Sequence, residues 1–215
     1  ITVEEIYKGA FRAKGMDELQ SMKNSNQYTV LNFDRNSNTM QIDLYDFASL
    51  KKVNTVIDTK NFGELSGIDS YTFNANETQV LIANNSNPIF RHSFTANYYL
   101  YNLNSKNLTK VLENVQEPTF SPDGTKIAFA KENNLFVYDI ASKNTTQITT
   151  DGKKNAIING ITDWVYEEEF AFVRAFDWSS DSKKLAYIRF DETEVPQFSM
   201  DLYKKDLYPT ADTFK

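Results

Sequence analysis

Three consecutive carboxylates, Glu167, Glu168 and Glu169, follow Asp163-Trp164-Val165-Tyr166 and precede Phe170. Like charges this close raise one another's pKa unless a cation joins them. A bare glutamate triplet is ordinarily a solvated charge run. Here Trp164, Val165, Phe170 and Phe172 flank it on both sides, so packing of these anchors would hold the carboxylates inward, toward a cationic ligand. Other chemistries are closed. The chain has no Cys and one His, His92. That excludes cysteine nucleophiles, disulfides, thiolate zinc sites, iron–sulfur clusters and multi-His metal sites, and the lone His reads as structural. No cofactor is implied.

The carboxylates need a scaffold. The chain has 215 residues, 40% hydrophobic, 24% charged and 14% aromatic, enough to bury a real core. Twenty-three basic against 29 acidic residues give a net charge of −6, which argues against nucleic acid as a partner because phosphate binding needs a positive field. No apolar run approaches the roughly 18–20 residues that span a bilayer, and no basic n-region with an apolar h-region opens the chain.

The pattern is that of an all-β protein. Only the N-terminal segment, Thr2 to Met22, reads as helical, and Gly15 and Asn24-Ser25-Asn26 break it up. Short β runs then alternate with turn clusters: Tyr28–Asn32, Met40–Tyr45, Val53–Ile57, Thr72–Phe73, Val80–Ala83, Tyr98–Tyr101, Lys126–Ala130, Leu135–Asp139 and Lys184–Arg189. Three segments share a frame of aromatic, polar turn and apolar strand; they start at Tyr71, Pro118 and Phe176. Ser121-Pro122-Asp123-Gly124 spells out the turn, with Pro preset for its second position and Gly tolerant of positive φ. A second element follows in Tyr98–Asn107 and Asn134–Asn144, with an earlier copy at Gln41–Leu50. A hairpin repeat of roughly 40–55 residues is the period of a β-propeller blade. About four blades are expected, from a larger propeller; a four-bladed closed propeller or an irregular sandwich is the alternative.

Asp163-Trp164-Val165-Tyr166-Glu167-Glu168-Glu169, entered through Ile158-Asn159-Gly160-Ile161-Thr162, resembles the motif of the dipeptidyl peptidase IV family of prolyl oligopeptidase clan serine peptidases. Trp178-Ser179, Leu185-Ala186-Tyr187 and Asp191-Glu192-Thr193-Glu194-Val195-Pro196 continue the resemblance, and Arg91-His92-Ser93 resembles the family's upstream Arg segment. The likeness runs from about residue 70 to 200. One departure is that the stretch from Glu169 to Trp178 is about one residue shorter than in vertebrate members, which leaves Phe172 without an assigned pocket role.

The resemblance implies that residues 1–215 are the N-terminal portion of an eight-bladed propeller, its first half, with a C-terminal α/β-hydrolase domain in the same protein. It implies a serine exopeptidase that releases N-terminal Xaa-Pro or Xaa-Ala dipeptides from peptides with a free N-terminus, a homodimer when full length, and a periplasmic, surface or secreted location. Carried over residue by residue, Glu168 and Glu169 would bind the substrate α-ammonium and Arg91 a backbone carbonyl beside them. Glu167 and His92 receive no ligand role. Two carboxylates can accept two of an ammonium's three N–H bonds, and the cation relieves their mutual repulsion.

Two other classes stay open: a prolyl tripeptidyl peptidase-like exopeptidase, and a non-catalytic propeller that binds peptides or serves as a scaffold. A serine peptidase of this clan needs Ser in a Gly-x-Ser-x-Gly elbow followed by Asp and His. None of the seven Gly forms such an elbow, and His92 precedes the acidic motif. Residues 1–215 alone are therefore expected not to hydrolyse Xaa-Pro chromogenic dipeptides. Turnover by the purified chain that survives mutation of Glu168 would defeat this expectation.

Overall fold

The computed structural model describes residues 1–13, 15 and 18–215. The chain divides into two compact units, Ile1–Gly63 and Glu64–Lys215. Both are built from antiparallel sheets, and the architecture is the all-β one expected, about four propeller blades after a short helical segment.

In the first unit, helix α1 spans only Val3–Tyr7. Thr2 and Glu5 close a capping box: the Glu5 N–H donates to Thr2 Oγ1 and the Thr2 N–H donates to Glu5 Oε2. The helix is shorter than the pattern over Thr2–Met22 because it buries none of its residues, so capping alone sustains it. Lys14, Met16 and Asp17 of that stretch lie outside the described residues. Strands β1 (Leu19–Ser21), β2 (Gln27–Asp34), β3 (Thr39–Asp46) and β4 (Lys52–Asp58) form one blade in chain order.

The second unit begins with β5 (Ser70–Phe73), β6 (Gln79–Pro88), β7 (Phe94–Asn102), β8 (Asn107–Phe120), β9 (Lys126–Lys131), β10 (Asn134–Asp139) and β11 (Thr145–Gln147). These seven make one continuous sheet. Its middle strand serves two blades. β8 pairs with β7 from Asn107 to Val115 and with β9 from Gln116 to Phe120. Asn114 (φ 53°) and Glu117 (φ 52°) sit in the left-handed region, and the register shifts on either side. Such bulges bend a strand and increase its twist, which lets it leave one sheet and enter the next.

The core explains the apolar run in β9. Side chains alternate across a strand. Ile127 and Phe129 join Leu81, Tyr98, Leu100 and Leu112 in one cluster, whereas Ala128 and Ala130 join Leu135, Ile158, Ile161 and Phe176 in another. Both faces are covered. The three repeated turns also share one geometry. The N–H groups of Glu77, Gly124 and Ser182 donate to the carbonyls of Asn74, Ser121 and Ser179, and all three donors have positive φ.

The rest of the unit holds β12 (Ile157–Asn159), helix α2 (Trp164–Phe170), β13 (Phe176–Trp178), β14 (Leu185–Tyr187), β15 (Arg189–Asp191), β16 (Phe198–Leu202) and β17 (Thr210–Phe214), its strands in three antiparallel pairs. The apolar run Lys184–Arg189 does not form a single strand. β14 pairs with β13 and β15 with β12, and Ile188 is the joint, donating to Ala175 O while accepting from Gly160 N. Two different partners divide the run.

Gly160 has φ +76°, and a Cβ there would stand 2.5–2.9 Å from three side-chain atoms of the fully buried Leu135. Gly160→Ala is expected to destabilise the protein by about 2–4 kcal/mol, from the left-handed backbone and the overpacked core together. Gly63→Ala, which meets nothing within 4 Å, is the matched control. Chemical denaturation checks this; equal midpoints for the two variants would refute it.

Candidate functional site

Helix α2 is an excursion within a strand. Ile161 and Arg174 bridge at its base, Thr162 N–H donates to Val173 O, and Thr162 Oγ1 donates to Phe172 O. Asp163 caps its N-terminus, accepting from Tyr166 N–H at 2.8 Å. Ala171, left-handed at φ 53°, ends it. Tyr166 seats it, stacking edge-on against Phe190 of β15 at 4.9 Å and Phe172 at 6.2 Å. Trp164, Val165 and Phe170 are exposed, contrary to the expectation that they pack as anchors. Seven residues need few apolar contacts once hydrogen bonds close their base.

Consecutive helical residues point about 100° apart. The triplet is therefore sorted rather than held inward as a group. Glu167 is 1% exposed, the Glu168 side chain 22%, and Glu169 is exposed. Glu167 Oε1 accepts from the backbone N–H groups of His92 at 2.6 Å and Ser93 at 2.8 Å. Its Oε2 is buried without a partner among the described residues. Glu168 receives the Arg91 guanidinium, whose Nε–H donates to Oε2 at 2.8 Å and Oε1 at 3.2 Å. Glu169 makes no ion pair among the described residues.

Arg91 lies in the five-residue loop Ile89–Ser93 between β6 and β7. Ile89 N–H donates to Ser93 O and Phe90 N–H to Ser93 Oγ, which tightens the loop. The Arg91 side chain is 70% exposed, so its pair with Glu168 is mostly solvent-screened and adds little stability. Of the residues nominated from sequence, Arg91 and Glu168 are in contact and Glu169 follows on the same helix. Sequence reasoning missed Glu167, the residue that joins loop to helix. Asp163 ahead of the run was the available sign that a helix starts there.

A further carboxylate, Glu117, feels the charge of Glu167. Burial raises the Glu117 pKa, Arg174 offsets part of this, and the charge of Glu167 raises it again. A cavity of about 620 Å³ opens beside the helix start, lined by Phe90, Ser93, Ile161, Asp163, Trp164 and Glu192 among others, but by none of Arg91, Glu168 or Glu169. The cavity carries carboxylates of its own, Glu132, Asp163, Glu192 and Asp212, beside Lys153, Lys154 and Lys215, and is separate from the Arg91–Glu168 contact. No group of three or more metal-binding side chains occurs among the described residues.

A family model described as the dipeptidyl peptidase IV (DPP IV) N-terminal region matches residues 74–215, which contain the loop and the helix. Dipeptidyl peptidase 4 of Felis catus is 36% identical over 155 residues, 70% of this chain and 20% of that protein. The probable dipeptidyl peptidase 4 of Aspergillus clavatus is 41% identical over 139 residues, 62% of this chain and 18% of that protein. The crystal structure of Porphyromonas gingivalis dipeptidyl peptidase 4 matches 100% of this chain and 31% of its own with a TM-score of 0.88 and 35% identity. The chain thus spans about a fifth of the length of these curated relatives.

Glu192, 7% exposed, has its pKa raised by burial and then by the charge of Asp163, with Lys215 offsetting part. Between the ordinary and the raised pKa, the folded state holds a proton that the unfolded state has released. The associated stability is complete below about 4.5 and is lost as pH rises through the higher folded value. Glu192→Gln cannot ionise, so it should raise the melting temperature relative to wild type more at pH 8 than at pH 4. An equal shift at both values would disprove the linkage.

Proposed function

The chain belongs to the dipeptidyl peptidase IV family, and we propose that it is the N-terminal part of the substrate-binding propeller of a serine exopeptidase that releases Xaa-Pro or Xaa-Ala dipeptides. In this reading Glu168 and Glu169 bind the substrate's α-ammonium. Arg91, already docked on Glu168 through Nε, turns its remaining guanidinium N–H groups to a backbone carbonyl of the substrate. The parent protein supplies Ser, Asp and His from a C-terminal α/β-hydrolase domain, works as a homodimer, and acts outside the cytoplasm on peptides with a free N-terminus.

The observation that supports this reading is the contact between Arg91 and Glu168, with Glu169 the next residue of the same helix. Selectivity follows from what each substrate leaves unmatched. An internal peptide N–H carries no charge, so it leaves the carboxylates short of a cation, and sites built on hydrogen bonds reject such substrates strongly.

In the parent enzyme, Glu168→Gln and Glu169→Gln should each cost about 2–4 kcal/mol in transition-state binding, roughly 30- to 1,000-fold in kcat/KM. Arg91→Ala should be intermediate, because it removes a hydrogen bond to a neutral acceptor and part of the charge balance. Activity should fall as pH rises through the substrate ammonium pKa near about 8. Steady-state kinetics on a free-amine dipeptide substrate decides the matter. Small and equal losses for the two Glu variants would return the pair to a solvated charge run.

A further inference from the structure

Glu167 is used by none of the steps above, yet it is the most buried member of the triplet. Its carboxylate oxygen Oε1 gathers two backbone N–H groups at 2.6 and 2.8 Å from a loop more than 70 residues earlier in the chain. Those donors, His92 and Ser93, immediately follow Arg91. Ser93 is 3% exposed, so its N–H has no recourse to water. On the helix side, Glu167 immediately precedes Glu168. One oxygen therefore fixes the distance between the backbone that carries the guanidinium and the backbone that carries the first ligand carboxylate.

We infer that Glu167 is a positioning residue: it sets the Arg91–Glu168 geometry through the His92 and Ser93 amides, and does so as an acceptor rather than as a charge. The inference rests on the ammonium-binding reading of Glu168 and Glu169. The Arg91–Glu168 pair cannot set that geometry itself, because the Arg91 side chain is 70% exposed on a long flexible stem. A rigid first shell needs supporting hydrogen bonds on fixed backbone, and Glu167 provides two. Its charge has no cationic partner among the described residues. Oε2 is buried and unbonded, and the charge raises the pKa of the neighbouring Glu117. A neutral amide oxygen at the same place would accept the same two bonds.

The test uses the full-length parent enzyme with Glu167→Ala, Glu167→Asp and Glu167→Gln. A free-amine Xaa-Pro chromogenic substrate is read for KM and kcat separately. Glu167→Ala should raise KM by about 10- to 100-fold, the scale of misplacing a substrate-holding group by an ångström. Glu167→Gln should rescue KM to within about threefold of wild type, since only the charge assistance of the bonds is lost. Glu167→Asp, one methylene short, should fall between. A purely structural role would lower the concentration of folded enzyme, and so the apparent kcat, while the surviving molecules kept the wild-type KM. That result would overturn the inference, as would equal KM effects for Ala and Gln.

Two further measurements separate this inference from the reading beneath it. Hydrogen exchange at the His92 and Ser93 amides should accelerate in Glu167→Ala and stay protected in Glu167→Gln, whatever the substrate proves to be; unchanged protection in the Ala variant refutes the tether. In an Arg91→Ala background, Glu167→Ala should add much less to KM than it does alone, because the two act through one loop. Full additivity refutes the route through Arg91. If Glu168→Gln and Glu169→Gln raise KM and Glu167→Ala does not, this inference falls alone. If none of them does, the ammonium site falls with it.

Discussion

A buried carboxylate between a loop and a helix holds this site together: Glu167 Oε1 accepts from two consecutive amides of the β6–β7 loop. A loop tip is usually the most mobile part of a hairpin, and a seven-residue helix is too short to be stable alone. Each lacks what the other provides. The loop has N–H groups turned inward without strand partners, and the helix has a carboxylate turned inward by its phase. Joining them gives both amides an acceptor in Oε1 and leaves Arg91 and Glu168 facing one another at 2.8 Å.

The blades supply the fixed points for that contact. Loop and helix leave the second unit at different places, the loop between β6 and β7 and the helix between β12 and β13. The path between them runs through β8, which crosses from one blade to the next at its left-handed residues, and through β9, whose alternate side chains enter two different cores. Residues distant in sequence meet because both faces of the intervening strand are buried. Close-packed interiors transmit position in this way, and displacement of one blade would be felt at the other.

Much of this could be read from sequence, for identifiable reasons. The turns at Asn74, Ser121 and Ser179 were legible because their chemistry is local: a polar side chain, a short reversal and a left-handed residue. The strands with alternating or doubly buried apolar residues were legible for the same reason. β8 was not, since Asn114, Glu117 and Pro118 interrupt its pattern, and these interruptions lie at the bulges and the crossover. Arg91, Glu168 and Glu169 could be nominated from type and spacing, but the division of labour in the triplet could not. It depends on the phase of a helix whose base is closed by Thr162 against Phe172 and Val173, a tertiary event without a local signal.

That division also makes the charge balance of the proposed site intelligible. Counting all three glutamates against Arg91 would leave two negative charges, an excess that one α-ammonium could not neutralise. Glu167 faces the interior, away from the water-accessible side where Glu168 and Glu169 lie. The outward set is then two carboxylates and one guanidinium, which leaves one negative charge, matched by one ammonium. Arg91 takes part of Glu168's bonding capacity, while Glu169 keeps its own, so the two carboxylates meet the incoming cation in different states of readiness. In that reading, a blocked N-terminus would leave the single charge unanswered. In the proposed reading, discrimination between a chain end and a chain interior rests on two outward carboxylates, and the helix sets the third apart by its pitch.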